Sequence, residues 1–233
     1  MIRLAATAQE SALDCARAIS RCLNRAILHR GRAFLAVSGG TTPRAMFEAL
    51  APLPVNWRRV HLFFVDERMV PPDSVESNFR LAQRHLVQPA AMPEENVHRI
   101  EGELEPEAAA ERYERRARAR LGPTGFFDVV QCGVGGDGHT ASLFPGDPLV
   151  VRRTGFCSAV WVEKQQQHRV TLLPAAIWSA RHLFVLVSGA EKKWAVRRAL
   201  DPREPVLETP ARILDRAATN WFLSPAQIYE GLR

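Results

Sequence analysis

The chain has 233 residues, suited to one large α/β domain, with 46% hydrophobic residues for a core and the 24% charged content of an ordinary soluble protein. No apolar run approaches the roughly 20 residues that span a bilayer, and Met1 to Thr7 lacks the basic region and apolar core of a signal peptide, so a cytoplasmic protein with no membrane partner is expected. The net charge of +6 favours an anionic small substrate, whereas dispersed basic residues and only two tyrosines argue against nucleic acid.

Thr7-Ala8-Gln9-Glu10 has the form of a capping box and opens a long helix to about His29, which Gly31 ends. Cys15 and Cys22 on that helix read as core thiols. With Cys132 and Cys157 they form no CxxC pair and have no His at metal spacing, so no metal site is expected. Ala33 to Val37 is a short apolar strand, Ser38 to Thr42 a turn, and Pro43 suits the first position of a helix over Arg44–Leu50. Val60 to Val65 is a second strand that delivers Asp66-Glu67-Arg68 at its C-terminal end. A loop at Pro71-Pro72-Asp73 leads to a helix near Ser77–Val87.

Pro106–Leu121 is a charged helix on which Arg112, Arg115, Arg116, Arg118 and Arg120 alternate with Ala and Glu, the pattern of a solvated face. Asp128–Gly133 is a strand running into a glycine-rich loop. Strands follow over Phe156–Val162, His168–Leu172, His182–Val187 and Asn220–Leu223. Helices are expected over Pro174–Ala180, Glu191–Leu200 and Pro225–Leu232. Strands alternating with helices predict an α/β fold with a doubly wound, mainly parallel sheet and helices on both faces. No repeat or linker divides residues 1–233, which read as a single domain.

Three segments carry candidate chemistry, and all follow strands, where such sheets bind ligands. In Ser38-Gly39-Gly40-Thr41-Thr42-Pro43 the glycines free backbone N–H groups, the hydroxyls add donors, and the following helix adds positive potential. That suits a phosphate, although a plain capped turn fits the same residues. Asp66-Glu67-Arg68 places an arginine where it can pair with an anion, or within a local salt bridge. Gly133-Val134-Gly135-Gly136-Asp137-Gly138 also matches GxGxxG, but the dinucleotide fingerprint wants an acid about 20 residues on. Residues 153 to 158 contain none, and Pro145 cuts off a long helix. His139 follows this loop and an acid, unlike His29, His61, His85, His98, His168 and His182, which read as structural or exposed. An imidazole so placed is a candidate general base.

These blocks, with Phe64-Val65-Asp66-Glu67-Arg68, Glu76-Ser77-Asn78, Gly135 through Gly146, Arg169-Val170-Thr171 and Gly189-Ala190-Glu191-Lys192, closely resemble the 6-phosphogluconolactonases and run in family order over nearly the whole chain. The resemblance implies a Rossmann-like fold shared with glucosamine-6-phosphate deaminases and hydrolysis of a phosphosugar lactone, 6-phospho-D-glucono-1,5-lactone. It implies no metal or organic cofactor, and a monomer or weak homodimer is expected. Carried onto this sequence, the phosphate sits on Ser38, Gly39, Gly40, Thr41 and Thr42, with Arg169 and Lys192. His139 is the general base, and Asp137 or Asp66 orients it or the sugar hydroxyls. Arg68 and loop N–H groups face the developing oxyanion. Gly135, Gly136, Gly138 and Asn78 complete the substrate loops.

The chain departs from the family at three points. Leu173 stands where a threonine is usual, Trp178 where an asparagine is frequent, and Gln165-Gln166-Gln167-His168 replaces a proline-rich approach. These put the wall built by that strand and helix in question. A deaminase or isomerase on the same fold would continue after the histidine with a further acid, but here Ser142-Leu143-Phe144-Pro145 has none before Asp147. A non-catalytic sugar-phosphate module would keep Ser38–Thr42 and Lys192 but need no His139.

Overall fold

A computed structural model describes residues 1–122 and 125–229. Its main sheet is built from short apolar runs buried on both sides, the pattern of parallel strands covered by other layers. The strands are β1 (Ile2–Leu4), β2 (Ala33–Val37), β3 (Val60–Phe64), β5 (Val97–His98), β6 (Val129–Cys132), β9 (His182–Ser188) and β10 (Thr219–Ser224). They are all parallel, in the order β1-β10-β9-β6-β2-β3-β5. From β2 the chain winds outward through β3 to β5, then returns on the other side through β6, β9 and β10. The β2/β6 gap is therefore the switch point, where the loops leave in opposite directions and open a crevice. The expected α/β fold with a mainly parallel sheet is present.

A second sheet was not expected. β4 (Asp66–Arg68), β8 (Gln167–Leu172) and β7 (Cys157–Val162) form an antiparallel sheet in the order β4-β8-β7. Val65 joins the two sheets: its N–H donates to Val37 at 2.9 Å, and its carbonyl accepts from Leu172 N–H at 2.7 Å. The charged residues after β3 thus sit on a strand rather than a loop.

The helices are α1 (Ala8–Arg30), α2 (Thr41–Leu50), α3 (Asn78–Ala82), α4 (Pro106–Leu121), α5 (Pro174–Trp178) and α6 (Lys193–Leu200). The Thr7–Glu10 capping box forms as read, and Gly31 closes α1 at φ 72°. α2 starts three residues before Arg44, because Gly40 at φ 107° turns the chain directly into the helix. The helix near Ser77–Val87 is α3 followed by a π turn over Gln83–Val87. The helix expected from Glu191 begins as a 3-10 turn, Ala190–Lys192, and becomes α-helical at Lys193. Of the helix expected over Pro225–Leu232, Ala226–Tyr229 forms a 3-10 turn, and residues 230–232 lie outside the described residues. The arginines of α4 form the solvated face read from sequence, and four of the five, Arg112, Arg115, Arg116 and Arg118, pair with Glu101, Glu111 and Glu114. No described helix is long and apolar enough to cross a membrane.

Tyr113 of α4 fixes the end of β3. β5 pairs only with Leu62 and Phe63, so the next backbone groups, on Phe64, need another partner. The buried Tyr113 hydroxyl donates to Phe64 O at 2.7 Å and accepts from Phe64 N–H at 2.9 Å. Tyr113→Phe orphans both groups and is expected to cost about 2 kcal/mol, lowering Tm by about 4–8 °C in calorimetry.

Candidate active site

The loop after β2 reaches α2 in three residues. A Cβ on Gly39 would lie 1.8 Å from Asn78 Oδ1, so only glycine lets the loop pass Asn78. No side chain caps α2, which leaves its first-turn N–H groups open toward the crevice. Thr41 and Thr42 occupy that first turn. Ser38 does something other than offer a donor: its hydroxyl donates to Gln131 O at 3.2 Å and pins the loop to β6. Lys192 comes from the far side of the sheet, after β9. It is half-buried without an ion-pair partner among the described residues. Burial pushes its pKa down against the pull of Glu191.

β4 and β8 supply a denser charge cluster. Arg68 and Arg169 stand directly opposite each other across the ladder, and Asp66 opposite Thr171. Opposed like charges destabilise a strand pair. Arg169 is buried, and its Nε and that of Arg68 have no hydrogen-bond partner among the described residues. Burial pushes the Arg169 pKa down, with Asp66 the first opposing charge. Asp66 is buried too. Its carboxylate accepts from the Ser142 hydroxyl at 2.7 Å and from Asn78 Nδ2 at 3.3 Å. Thr171 Oγ1 accepts from Ser142 N–H at 3.1 Å.

Glu67 points the other way and organises the α3 end. Its carboxylate accepts from the N–H groups of Arg68, Asn78 and Phe79 at 2.9, 2.7 and 2.7 Å, and from the Ser77 hydroxyl at 3.1 Å. Burial pushes its pKa up, while those backbone donors pull it back.

The loop after β6 carries His139. Gly135 N–H donates to His139 O at 2.9 Å, and Gly138 N–H to Gly135 O at 3.0 Å, closing a tight turn. His139 Nδ1 lies 2.5 Å from Asp137 Oδ1, and its ring stacks on Phe144 with centroids 4.5 Å apart. With Nδ1 engaged, Nε2 is the nitrogen left for chemistry. The hydrogen bond from His139 holds the Asp137 carboxyl well below the usual range. Lys164 Nζ stands 3.7 Å from the other Asp137 oxygen. A Cβ on Gly135 would come within 2.1 Å of the imidazole, so this glycine makes room for the ring.

These segments enclose a crevice of about 320 Å³ at the switch point. It gathers Ser38 through Thr42, Asp66, Arg68, Asn78, Gly135, Gly136, His139, Arg169 and Lys192 around one space. Asp137 and Gly138 do not line it; they stand behind the histidine. Of the two acids considered as partners of the imidazole, Asp137 touches it, and Asp66 is tied to Ser142 and Asn78. Sequence reasoning missed Ser142, Thr171, Glu67 and Phe144. Ser142 and Phe144 lie in the quoted histidine block, but nothing in their spacing reveals their partners. The departures at Leu173, Trp178 and residues 165–168 do not line the crevice. Trp178 Nε1 donates to Ile213 O at 2.9 Å instead. Among the described residues no group of three His, Cys, Asp or Glu is placed to hold a metal ion.

A crevice at the switch point of a parallel sheet, with unpaired cations around a carboxylate-held histidine, defines an α/β protein built to take a small anion. The chain belongs to the glucosamine-6-phosphate isomerase/6-phosphogluconolactonase family, whose model matches residues 6–223. It is 34% identical over 229 residues to the 6-phosphogluconolactonase of a Synechocystis species, covering 96% of this chain and 93% of that one. It is 35% identical over 205 residues to that of Haemophilus influenzae, covering 83% and 85%. The solved 6-phosphogluconolactonase of Trypanosoma brucei superposes with a TM-score of 0.85 at 31% identity, over 100% of this chain and 98% of that one. A monomeric glucosamine-6-phosphate deaminase shares the fold, with a TM-score of 0.86 at 19% identity.

Glu67→Gln removes an acceptor from a carboxylate whose two oxygens both serve two donors. It is expected to cost about 2 kcal/mol in urea denaturation, because at least one buried N–H is left without a partner.

Proposed function

We propose that this chain hydrolyses 6-phospho-D-glucono-1,5-lactone to 6-phospho-D-gluconate, the lactonase step of the oxidative pentose phosphate pathway, with His139 as general base. The carrying observation is the 2.5 Å contact between His139 Nδ1 and Asp137, which leaves Nε2 for a crevice lined by Arg68, Arg169 and Lys192. Family membership and the names of its relatives support the substrate.

The phosphate rests on the Ser38–Thr42 loop and the open first turn of α2, with Lys192 and Arg169 supplying charge. Anchoring the phosphate presents C1 of the ring to the histidine, and that remote contact supplies orientation. Nε2 takes a proton from water as its oxygen attacks C1. The carbonyl π electrons move onto oxygen, where Arg68 and loop N–H groups stabilise the charge. Collapse re-forms the carbonyl and breaks the bond from C1 to the ring oxygen, which takes the proton back from the imidazolium. Asp137 holds the Nδ1 proton and steadies the imidazolium while it exists. Asp66, held by Ser142 and Asn78, positions Arg169 and is placed to accept from a sugar hydroxyl. The loop after His139 gives a deaminase no further acid, since residues 140–146 contain none before Asp147. The reading takes residues 1–233 as one domain acting in the cytoplasm.

His139→Ala is expected to lower kcat by at least about 100-fold while substrate still binds. The assay couples freshly made lactone to product oxidation and subtracts spontaneous hydrolysis. Near-normal turnover would remove His139 as the base. Arg169→Ala and Lys192→Ala are expected to raise KM by about 10-fold or more, each losing a charge-assisted phosphate contact. Unchanged KM and kcat in both would overturn the phosphate assignment.

A further inference from the structure

The opposite end of the sheet carries a second charged cavity, of about 470 Å³. It lies among the last turn of α1, the starts of β2 and β3, and the end of α4. Arg30, Arg32, Arg58 and Arg59 line it with His61 and Phe126, and no carboxylate is among its lining residues. It shares no residue with the candidate active site. The five residues of β2 separate the two, a span of about 16 Å. We propose that this cavity binds a small molecule carrying two or more phosphate groups, held by Arg32, Arg58 and Arg59.

What distinguishes these arginines is that they are unpaired among the described residues and line one cavity together. Arg112, Arg115, Arg116 and Arg118 on α4 all have glutamate partners, and Arg30 is tied to the buried Asp128. Arg32, Arg58 and Arg59 have no ion-pair partner among the described residues. Arg30 also answers the dipole at the end of α1, but Arg58 and Arg59 close no long helix. The three charges of Arg32, Arg58 and Arg59 converge on one cavity that has no acid among its described lining residues.

The Arg32 side chain and the backbone that carries Arg58 and Arg59 are also held in place. Arg32 rests on the Phe34 ring, its Cζ 5.3 Å from the centroid. Arg58 and Arg59 belong to the turn Trp57–Arg59, which buried Trp57 anchors and Asn96 braces by donating to Arg58 O at 3.1 Å. A guanidinium fork matches one phosphate in two-point fashion, so three forks around one cavity suit two or three linked phosphates.

The positive field reaches the groups behind the wall. His61 Nδ1 and His98 Nε2 are 3.0 Å apart. Burial, then Arg120 and Arg32, push the His61 pKa down; burial, His61, Arg120 and Arg116 bring His98 to about 4. In the tautomer with His98 Nε2–H donating, His61 carries its own proton on Nε2, and the ring lining the cavity gains a neutral N–H donor. An anion in the cavity would relieve the field on both rings, which makes them built-in reporters.

The test is calorimetric titration of the full chain with inorganic tripolyphosphate at low salt, followed in parallel by the ring signals of His61 and His98 in NMR. One saturable site is expected. It should weaken at least tenfold in Arg58→Gln/Arg59→Gln and in Arg32→Gln, and survive in Arg169→Ala/Lys192→Ala, with both histidine signals shifting as the site fills. ATP should compete for that site and adenosine should not, which places recognition in the phosphates; ATP binding at least tenfold tighter than tripolyphosphate would add a base contact at Phe126. Lactonase turnover should be unchanged in the Arg58 and Arg59 variants, which reports their fold. Three results would overturn the proposal: no saturable binding, binding that follows Arg169 and Lys192 instead, or binding confined to a long single-stranded oligonucleotide.

Discussion

The Asp66 carboxylate is the tie on which the site depends. It is buried, and a buried charge must be hydrogen-bonded or it costs several kcal/mol. Its partners come from different parts of the chain: Ser142 from the loop that carries His139, Asn78 from the start of α3, and Arg169 by charge from β8. Satisfying one carboxylate therefore brings the histidine loop, the α3 end and the small sheet into one register. Glu67, its neighbour in sequence, does the same for the outer side by gathering three donors at the start of α3 and the N–H of Arg68 on its own strand. Two adjacent acids on one short strand thus face opposite ways, each holding a different layer.

The arginine pair across β4 and β8 sets the opposite demand. Two unit charges a few ångströms apart repel by about 1 kcal/mol in water and about 4 kcal/mol at the lower effective dielectric of a protein surface. Asp66, with Glu76 and Glu67, offsets part of that, and the Nε groups of both arginines have no hydrogen-bond partner among the described residues. Under the proposed function a bound phosphate answers these charges, and the site gives up some stability when empty for affinity when filled.

The strand at Ala33–Val37 and the helix at Pro106–Leu121 were legible because each carries its own signal: a closed apolar run, and a proline start followed by helix formers. The second sheet was not, because Cys157–Val162 and Gln167–Leu172 read simply as strands, and pairing direction leaves no mark on composition. β1 is three residues long and carries no pattern of its own. At the site, His139 and Asp137 stood out through their glycine setting. Ser38 had a hydroxyl to offer in sequence, yet the fold commits it to Gln131. Glu67 read as one charge among three, and its role exists only once α3 is folded beside it. The dispersed arginines of the chain gave no patch when read in order, but strand starts and helix ends bring Arg30, Arg32, Arg58 and Arg59 to one cavity.

The switch-point topology has a kinetic consequence. The crevice has walls from β2 and β6, and the bonds that close it join residues far apart in the chain: 93 positions between Ser38 and Gln131, and 76 between Asp66 and Ser142. Closing such loops costs entropy before any contact repays it, so folding of this chain is slow beside that of a helical bundle of equal stability. During synthesis β2 and β3 leave the ribosome long before β6 can insert beside β2. Until it does, the open flank of β2 presents unpaired backbone to solvent and to neighbouring chains. The strand that ends this exposure of β2 is also the one that leads into the loop carrying His139, so one pairing event covers the open flank and brings the imidazole to the crevice.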